Sequence, residues 1–266
     1  MALITPQAID CVLAMGDGPD EQQITWKGSG FLYGRYSHTD EAGKKRYDTY
    51  IVSCRHVFEQ LDTAWVRCNP RGKDPAQAYQ FGMDGKPRWI GHPDPSIDIA
   101  VAAANVQMLM DHGMSVAVFT DDTQTLCVEE MENEGVTEGD HLFVLGFPLG
   151  LVGARRNAVI TRHGVVARIR DVLDGVDDYY LVDAAIYPGN SGGPVLLQPQ
   201  LIGVEGTTPR RRAGLIGVVS GYLPYRDTAV SLQTQRPRVT FEENSGLGLV
   251  LPMDKVNEAI DAVPQV

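Results

Sequence analysis

The sequence lacks any long apolar run. A helix needs about 20 mostly apolar residues to cross a bilayer. The longest uncharged run near the middle of the chain, residues 99–110, is shorter than this and contains Asn105 and Gln107. The N-terminus has no basic segment, and Asp10 interrupts its apolar stretch, so no signal peptide is indicated. We therefore expect no membrane contact and a cytoplasmic location.

Cysteine is scarce and does not occur in the close pairs that bind metals or carry redox chemistry. The 266 residues include 4 cysteines, with no CxxC spacing: Cys11, Cys54, Cys68 and Cys127. Without a secretory signal, this favours free, buried thiols in a reducing compartment, and two disulfides in an extracellular protein are the alternative. Cys54 and His56 alone are too few ligands to indicate a metal site. We expect no metal and no cofactor.

Basic charge and helical periodicity are also lacking. The net charge is -11, which argues against nucleic-acid binding. Short apolar runs recur between turn residues, and 28 glycines and 16 prolines fit a fold of many short strands. One helix is expected at the C-terminal end, where apolar residues follow the i, i+3, i+4, i+7 pattern over residues 256–263.

The acidic segment 121–140 is interpreted as the connection between two halves, with residues 129–134 solvated. This predicts an N-terminal unit of residues 1–125 and a C-terminal unit of residues 126–266. Strands are expected over residues 9–14, 24–33, 50–53, 64–68, 97–101 and 116–119, and then over 141–146, 157–169, 179–184, 201–204, 215–222 and 246–251.

Against this background the motif Gly189-Asn190-Ser191-Gly192-Gly193-Pro194 stands out. Glycines allow backbone conformations and close approaches that side chains block. A serine on such a turn has an exposed hydroxyl, and the N–H groups of Gly189 and Ser191 can converge on one point. An acyl-transfer nucleophile needs both features. Because a serine hydroxyl is a weak nucleophile, a histidine and an orienting acid are required elsewhere.

His56 is the candidate base, because it ends an apolar strand. Asp98 is the candidate acid, because a carboxylate inside an apolar strand needs a hydrogen-bond donor. Its rival, Asp94, lies between two prolines and is interpreted as a turn residue. Among the other histidines, three are expected at the surface and two in structural roles: His38, His92 and His112, and then His141 and His163.

These residues occur in stretches that together resemble a chymotrypsin-fold, trypsin-like serine peptidase of the HtrA/DegP-like branch. The matching stretches span most of the chain in the order His, Asp, Ser, and they are residues 28–32, 50–57, 98–101, 146–150, 183–194 and 220–222. The resemblance implies an all-β fold of two six-stranded antiparallel barrels with a C-terminal helix. It also implies a serine endopeptidase acting on protein or peptide substrates in the cleft between the barrels.

The resemblance assigns His56 and Asp98 to the first barrel and Ser191 to the second, with an oxyanion hole made by Gly189 and Ser191. Asn190 stands where secreted trypsin-type enzymes have an Asp, so activation by N-terminal cleavage is not expected. Arg55 replaces a small residue, and it either turns to solvent or touches substrate. No PDZ module is expected after the terminal helix.

Substrate selection is assigned by the same resemblance. Ala185 at the pocket floor, followed by Ile186, predicts a small or apolar residue before the scissile bond. Ser220-Gly221-Tyr222 is the expected pocket wall, on whose backbone a substrate would add as a strand. Residues 203–205 are a competing alignment for that wall, because residues 198–213 resemble an insertion with a solvated tip at residues 210–212.

Two other functions remain open from the sequence. The chain could be a catalytically silent binding or scaffold module with a protease fold. It could also be a protease subunit that a regulatory protein partner activates. Labelling of Ser191 by an active-site probe distinguishes the silent module from an active enzyme.

Overall fold

The protein is described by a computed structural model covering residues 4–82, 88–200, 204, 209–210 and 212–264. Its helices are α1 Pro6–Asp10, α2 Arg55–Glu59, α3 Val106–Asp111, α4 Val128–Asn133, α5 Arg170–Leu173 and α6 Met253–Asp261, with a 3₁₀ turn at Pro148–Gly150. Within the described ranges, none of these helices is long and apolar enough to cross a membrane.

Fourteen strands are described and they dominate the structure. In the first half they are β1 Val12–Asp17, β2 Thr25–Thr39, β3 Lys45–Ser53, β4 Ala64–Cys68, β5 Gln77–Gln80, β6 Ile90–Gly91, β7 Ala100–Ala103 and β8 Phe119–Thr120. In the second half they are β9 His141–Gly146, β10 Ile160–Arg168, β11 Tyr180–Asp183, β12 Pro194–Leu197, β13 Gly214–Val230 and β14 Pro237–Pro252. The all-β prediction is confirmed.

The second half closes into the expected six-stranded barrel, in the order β10-β11-β14-β13-β12-β9. The first half differs from the expected six-stranded barrel, because its strands form an eight-stranded sheet. Its order is β5-β4-β1-β2-β3-β7-β6, and β8 pairs in parallel with β2. The two strands that were not expected are β5 and the two-residue β6, which pair with β4 and β7 respectively.

The C-terminal helix joins the two halves. Met253, Val256 and Ile260 of α6 are buried in the same apolar cluster as Phe31 and Val52 of the first sheet. Their spacing places them on one face of the helix. The predicted boundary between residues 125 and 126 stays a prediction, although β8 ends at Thr120 and β9 begins at His141.

Two of the expected strands begin later in the chain than predicted. Ile9 lies in α1 rather than in a strand, because Thr5 caps that helix and Pro6 occupies its first turn. Asp98 lies in the loop before β7 rather than inside a strand. The expected strand over residues 201–204 and the alignment at residues 203–205 fall, apart from Val204, outside the described residues.

The acidic connection contains helix α4, which was expected to be a solvated segment. Met131 is fully buried while the acidic residues around it remain at least partly exposed. Glu130 also caps the helix, because its carboxylate accepts the Cys127 N–H at 3.0 Å. Met131 therefore attaches this acidic stretch to the barrel, together with Leu126 and Val136 on either side of it.

The expected solvated tip at residues 210–212 is also incorrect. Arg210 is buried and donates from Nη1 to Asp140 Oδ2 at 2.7 Å and from Nη2 to the Gln198 carbonyl at 3.2 Å. Arg212 donates to Glu130 at 3.2 Å. Arg211 lies outside the described residues. Arg210 is buried here because Asp140 compensates the cost of removing its charge from water.

Candidate active site

His56 and Asp98 are brought together by the start of helix α2 and the loop before β7. Strand β3 ends at Ser53, and α2 follows immediately with His56 in its first turn. His56 Nδ1 lies 2.7 Å from Asp98 Oδ2, and the His56 backbone N–H donates to Asp98 Oδ1 at 3.0 Å. Because a carboxylate only accepts, this contact places the ring proton on Nδ1 and leaves the Nε2 lone pair free.

Asp98 is held in its ionised form. Burial of its carboxyl raises its pKa, but the hydrogen bonds from the His56 ring and backbone and from Ser220 Oγ together lower the pKa below its usual range. The Ser220 hydroxyl donates to Asp98 Oδ2 at 2.9 Å. At neutral pH the imidazole therefore faces a fixed negative charge.

Ser191 lies on the loop between β11 and β12, and its side chain is half-buried. Its hydroxyl donates to the Ser220 carbonyl at 3.1 Å. In the described part of the chain, no hydrogen bond joins Ser191 Oγ to His56. Ser191 and His56 nevertheless both line the same cavity.

The loop before Ser191 contains a type II turn. The Asn190 N–H donates to the Tyr187 carbonyl at 3.0 Å, Pro188 occupies the second position, and Gly189 at the third has φ of 95°. A side chain at Gly189 would strain this conformation, and a Cβ there would come within 2.5 Å of the Phe147 carbonyl oxygen. The turn therefore requires glycine.

This turn orients the peptide that precedes Gly189. The Pro188 carbonyl accepts the Leu149 N–H at 2.6 Å. Since this peptide is trans, the Gly189 N–H points the opposite way, away from Leu149. Neither the Gly189 N–H nor the Ser191 N–H has an acceptor among the described residues. Two backbone donors on residues that line the cavity are thus left unpaired.

Ser29 supports the turn from the first sheet. Its hydroxyl is fully buried, donates to the Gly189 carbonyl at 2.7 Å and accepts the Phe147 N–H at 2.9 Å. The Ser29 N–H donates to the Ser191 carbonyl at 2.9 Å. The sequence analysis missed Ser29, although a serine between Gly28 and Gly30 in an apolar strand was a usable signal.

Asn190 stabilises the same turn internally. Its side chain is fully buried, and its Oδ1 accepts the Tyr187 N–H at 3.1 Å. The N–H of Gly193 donates to the Asn190 carbonyl at 2.9 Å. The turn is therefore hydrogen-bonded both within itself and to Ser29.

The cavity around His56 and Ser191 has a volume of about 480 Å³. Ile186, Gly189, Ser220, Gly221 and Tyr222 are at its wall, as the sequence analysis expected. Ala185 is instead exposed and lies outside the lining residues, whereas its neighbour Ile186 is buried. Polar residues that the sequence analysis did not single out also line it, namely Lys27, Gln60, Arg226 and Glu242.

Arg55 neither turns to solvent nor touches the cavity. Its Nη2 donates to the His92 carbonyl at 2.6 Å, and a Cβ on Gly91 would overlap its guanidinium. His92 was expected at the surface but is buried, with Nε2 2.8 Å from Glu258 of α6. Asp94 accepts hydrogen bonds from Ser96 and is a turn residue, as expected.

Cys54, His56 and Asp98 offer ligand atoms within 4.8 Å of one another, which is the arrangement of a possible metal cluster. The thiol does not suit this role. Burial raises the pKa of Cys54 well above its usual value, and its Sγ donates to the Val219 carbonyl at 3.1 Å. A metal needs the thiolate, so the chemistry of this donor set does not favour a metal.

The chain belongs to the trypsin-like peptidase family, because a family model described as trypsin-like peptidase domain matches residues 28–204. Proteins named probable periplasmic serine endoprotease DegP-like are relatives. The one from Chlamydia trachomatis is 40% identical over 64% of this chain and 28% of its own length. The one from Bartonella henselae is 30% identical over the same two shares. The chain thus spans less than a third of these curated relatives.

A solved structure described as human heparin binding protein has the same fold. It is 13% identical, with a TM-score of 0.53, and the match covers 98% of this chain and 94% of that one. The expected chymotrypsin-like fold is confirmed by this likeness, which concerns the fold alone.

The relatives are named as periplasmic proteases, which contradicts the expected cytoplasmic location and favours a periplasmic or secreted one. The expectation relied on the missing signal-peptide pattern and on the scarce, unpaired cysteines, and the cysteines do not decide the compartment. All four are free, and burial raises the pKa of each thiol, to about 12 for Cys68 and Cys127. Burial and a raised pKa slow the oxidation of a thiol, so unpaired cysteines are compatible with oxidising surroundings too.

Proposed function

We propose that the chain is a serine endopeptidase in which Ser191 is the nucleophile, His56 the general base and Asp98 the orienting acid. The observation that carries the proposal is the pair of unpaired N–H groups on Gly189 and Ser191, beside a serine that shares its cavity with a histidine fixed by a carboxylate. Donors left without protein acceptors are what an oxyanion hole needs.

The reaction follows from these positions. His56 Nε2 accepts the Ser191 hydroxyl proton as Oγ attacks the substrate carbonyl carbon, and the N–H groups of Gly189 and Ser191 bind the resulting oxyanion. Asp98 stabilises the imidazolium. The imidazolium then protonates the leaving amine, which departs with the C-terminal product, and water hydrolyses the acyl-enzyme by the same route in reverse. Protein or peptide substrates are proposed, with small or apolar side chains beside Ile186.

The test is labelling by a fluorophosphonate probe together with peptide hydrolysis. Ser191→Ala is expected to abolish labelling and to lower turnover by about 10⁴-fold or more. Ser37→Ala, at an exposed serine of β2, is the matched control and keeps both. A folded wild-type protein that the probe does not label would contradict the proposal.

One observation favours a second candidate, a silent or partner-activated member of the family. The Ser191 hydroxyl donates to Ser220 rather than to His56, so it must rotate about one bond before reaction. In a partner-activated protease the probe labels slowly alone and faster when a partner or a peptide occupies the cavity. A constant labelling rate under both conditions would exclude this form of switching.

A further inference from the structure

Basic side chains gather where a loop of the first half lies against a loop of the second half. The first loop joins β4 to β5 (residues 69–76), and the second precedes β10 (residues 151–159). The two loops are in direct contact, because the Ala76 N–H donates to the Arg155 carbonyl at 2.8 Å. The basic side chains on these loops and on the adjoining end of β4 are called the basic patch, and they are Arg67, Arg71, Lys73, Arg155 and Arg156.

The guanidinium of Arg156 is enclosed by backbone carbonyls of the first loop. Its Nη1 donates to the carbonyls of Gly72 at 3.0 Å and Asp74 at 2.9 Å, and its Nη2 donates to the carbonyl of Pro70 at 3.3 Å. Carbonyl groups satisfy its hydrogen bonds, but they carry no net charge and leave the positive charge uncompensated. Arg156 is therefore a fixed, half-buried cation between the two loops.

Arg155 and Arg67 are hydrogen-bonded in the same way. Arg155 Nη2 donates to the Lys73 carbonyl at 3.0 Å. Arg67 Nη1 donates to the carbonyls of Val152 at 3.1 Å and Gly153 at 2.7 Å. Burial lowers the pKa of Arg67, and no neighbouring carboxylate offsets this effect. These arginines therefore hold the two loops together without giving up their charge.

The basic patch lacks the carboxylate partners that arginines have elsewhere in the protein. Asp74 is the one acid within the two loops. Among the described residues, no side chain of the basic patch forms an ion pair. By contrast, Arg46 pairs with Asp40 at 2.7 Å and Arg226 with Glu242 at 2.9 Å. Because the chain has a net charge of -11, the surface outside the patch is strongly acidic.

Part of the basic patch is open to a partner. The side chains of Arg71, Lys73 and Arg155 are exposed. Leu151, which is 56% exposed, lies on the second loop two positions before Gly153. The surface therefore offers several cations together with one apolar contact.

The acidity of the remaining surface determines the size of the anion that fits the basic patch. Surface charges interact over about 8 Å at physiological ionic strength. A membrane or another extended anionic surface would also face the acidic remainder of the protein and would be repelled by it. A short acidic segment meets the patch alone, and guanidinium groups pair well with its carboxylates. The charge distribution therefore favours a short acidic segment of a polypeptide.

The basic patch is separate from the cavity of Ser191 but connected to it. Among the described residues that line the cavity, none belongs to the patch. Leu149, just before the second loop, donates its N–H to the Pro188 carbonyl at 2.6 Å, so this segment runs from the nucleophile loop to the patch. A polypeptide held at the patch thus leaves the cavity free for another part of its chain.

We infer that the basic patch binds a short acidic segment of a polypeptide partner, with an apolar residue of that segment against Leu151. Carboxylates of the partner pair with the exposed side chains of Arg71, Lys73 and Arg155. This binding involves no reaction step, so it does not depend on the proposed peptidase function.

The test uses the full chain carrying Ser191→Ala, so that a bound peptide is not cleaved. The probe is a fluorescein-labelled peptide rich in Asp and Glu, with a central Leu and about twelve residues, which spans the patch when extended. Its affinity is measured by fluorescence anisotropy beside a peptide with Asn and Gln in place of the acids. At low salt the acidic peptide should bind at least about tenfold more tightly, and about 0.5 M salt should remove most of this difference.

Reversing two charges of the basic patch provides the matched variants. Arg71→Glu with Lys73→Glu should weaken binding of the acidic peptide by at least about tenfold, because attraction is replaced by repulsion at two positions. Arg236→Glu with Arg238→Glu is the control, since both residues are exposed, equally spaced and change the net charge by the same amount. The control should stay within about twofold of the parent. Leu151→Ser should weaken binding by about threefold.

Arg71→Gln with Lys73→Gln removes the two charges without introducing acids, and it should bind with intermediate affinity. It replaces the reversed variant if that variant does not fold. Equal weakening by the patch and control variants would overturn the inference, because the net charge and not the patch would then control binding. Equal affinities for the acidic and the amide peptide would overturn it too.

Vesicles of phosphatidylcholine and phosphatidylserine test the other anionic surface. We expect the protein not to sediment with them at physiological salt. If it sediments with the vesicles, loses this with Arg71→Glu and Lys73→Glu, and does not bind the acidic peptide, the basic patch is a membrane-binding surface and the inference is wrong.

Discussion

Ser29→Ala tests whether the first sheet holds the nucleophile loop of the second half in place. The serine hydroxyl is fully buried and satisfies two backbone groups, the Gly189 carbonyl at 2.7 Å and the Phe147 N–H at 2.9 Å. Alanine leaves both groups buried without partners. Each unsatisfied buried group costs about 1–3 kcal/mol, so the two together should lower the free energy of unfolding by about 2–6 kcal/mol.

The same substitution should also affect the reaction. Without Ser29, the Gly189 carbonyl can turn to find another donor, and this rotates the turn that presents the Gly189 N–H. Loss of one oxyanion donor lowers turnover by about 10²–10³-fold. We expect the fluorophosphonate labelling rate to fall by a similar factor, and the melting temperature to fall by about 5–15 °C.

Ser53→Ala is the matched control for this experiment. Ser53 is also fully buried, but its hydroxyl donates to the Ser29 carbonyl at 2.7 Å and does not contact Gly189. It should destabilise the protein by about 1–2 kcal/mol and change labelling far less than Ser29→Ala. If Ser29→Ala melts within about 1 °C of the wild type and labels at the same rate, the proposed support of the loop is wrong.

Two further predictions concern the site itself. Asp98→Asn should lower turnover by about 10⁴-fold. Because the pKa of Asp98 is lower in the folded than in the unfolded protein, its contribution to stability is present above about pH 4 and is lost as the pH falls through the folded pKa. Denaturant unfolding of the variant should therefore lack this part of the acid dependence of stability. Gly189→Ala should abolish labelling, because the new Cβ would overlap the Phe147 carbonyl. Gly43→Ala, which also has a positive φ of 76° but meets nothing within 4 Å, is its control and should label normally, and equal labelling of both variants would contradict the steric argument.

The sequence predicted the residues whose signal is local. Ser191 was predicted because its glycines and proline are adjacent to it, and His56 because it follows an apolar strand. Asp98 was identified from its apolar neighbours, although it lies in a loop and not in a strand. Its carboxylate still reaches His56, because the loop is short and β7 pairs with β3, which carries the chain into α2. The proximity of His56 and Asp98 was therefore easier to predict than the secondary structure around them.

What the sequence could not predict depends on contacts between distant residues. Ser29 and Gly189 are 160 positions apart, so no spacing pattern connects them. Arg55 was ambiguous because its partner is a backbone carbonyl, which any residue could provide. The part of the β13–β14 hairpin that extends beyond the barrel (residues 222–230 and 237–244) was missed because both of its faces are exposed. Its strands therefore lack the alternation of buried and exposed residues by which strands are recognised.

Asn190 is part of the set of contacts that fix this loop. A carboxylate at that position would be fully buried and would need a positive charge. The neutral amide avoids that cost, although its Nδ2 has no hydrogen-bond partner among the described residues. Its Oδ1 accepts a hydrogen bond from the Tyr187 N–H. Pro188 and Gly189 favour the type II turn by their own conformational preferences, and Ser29 holds the Gly189 carbonyl from the first sheet. The geometry of the turn therefore follows from local conformational preference and from packing between the two halves.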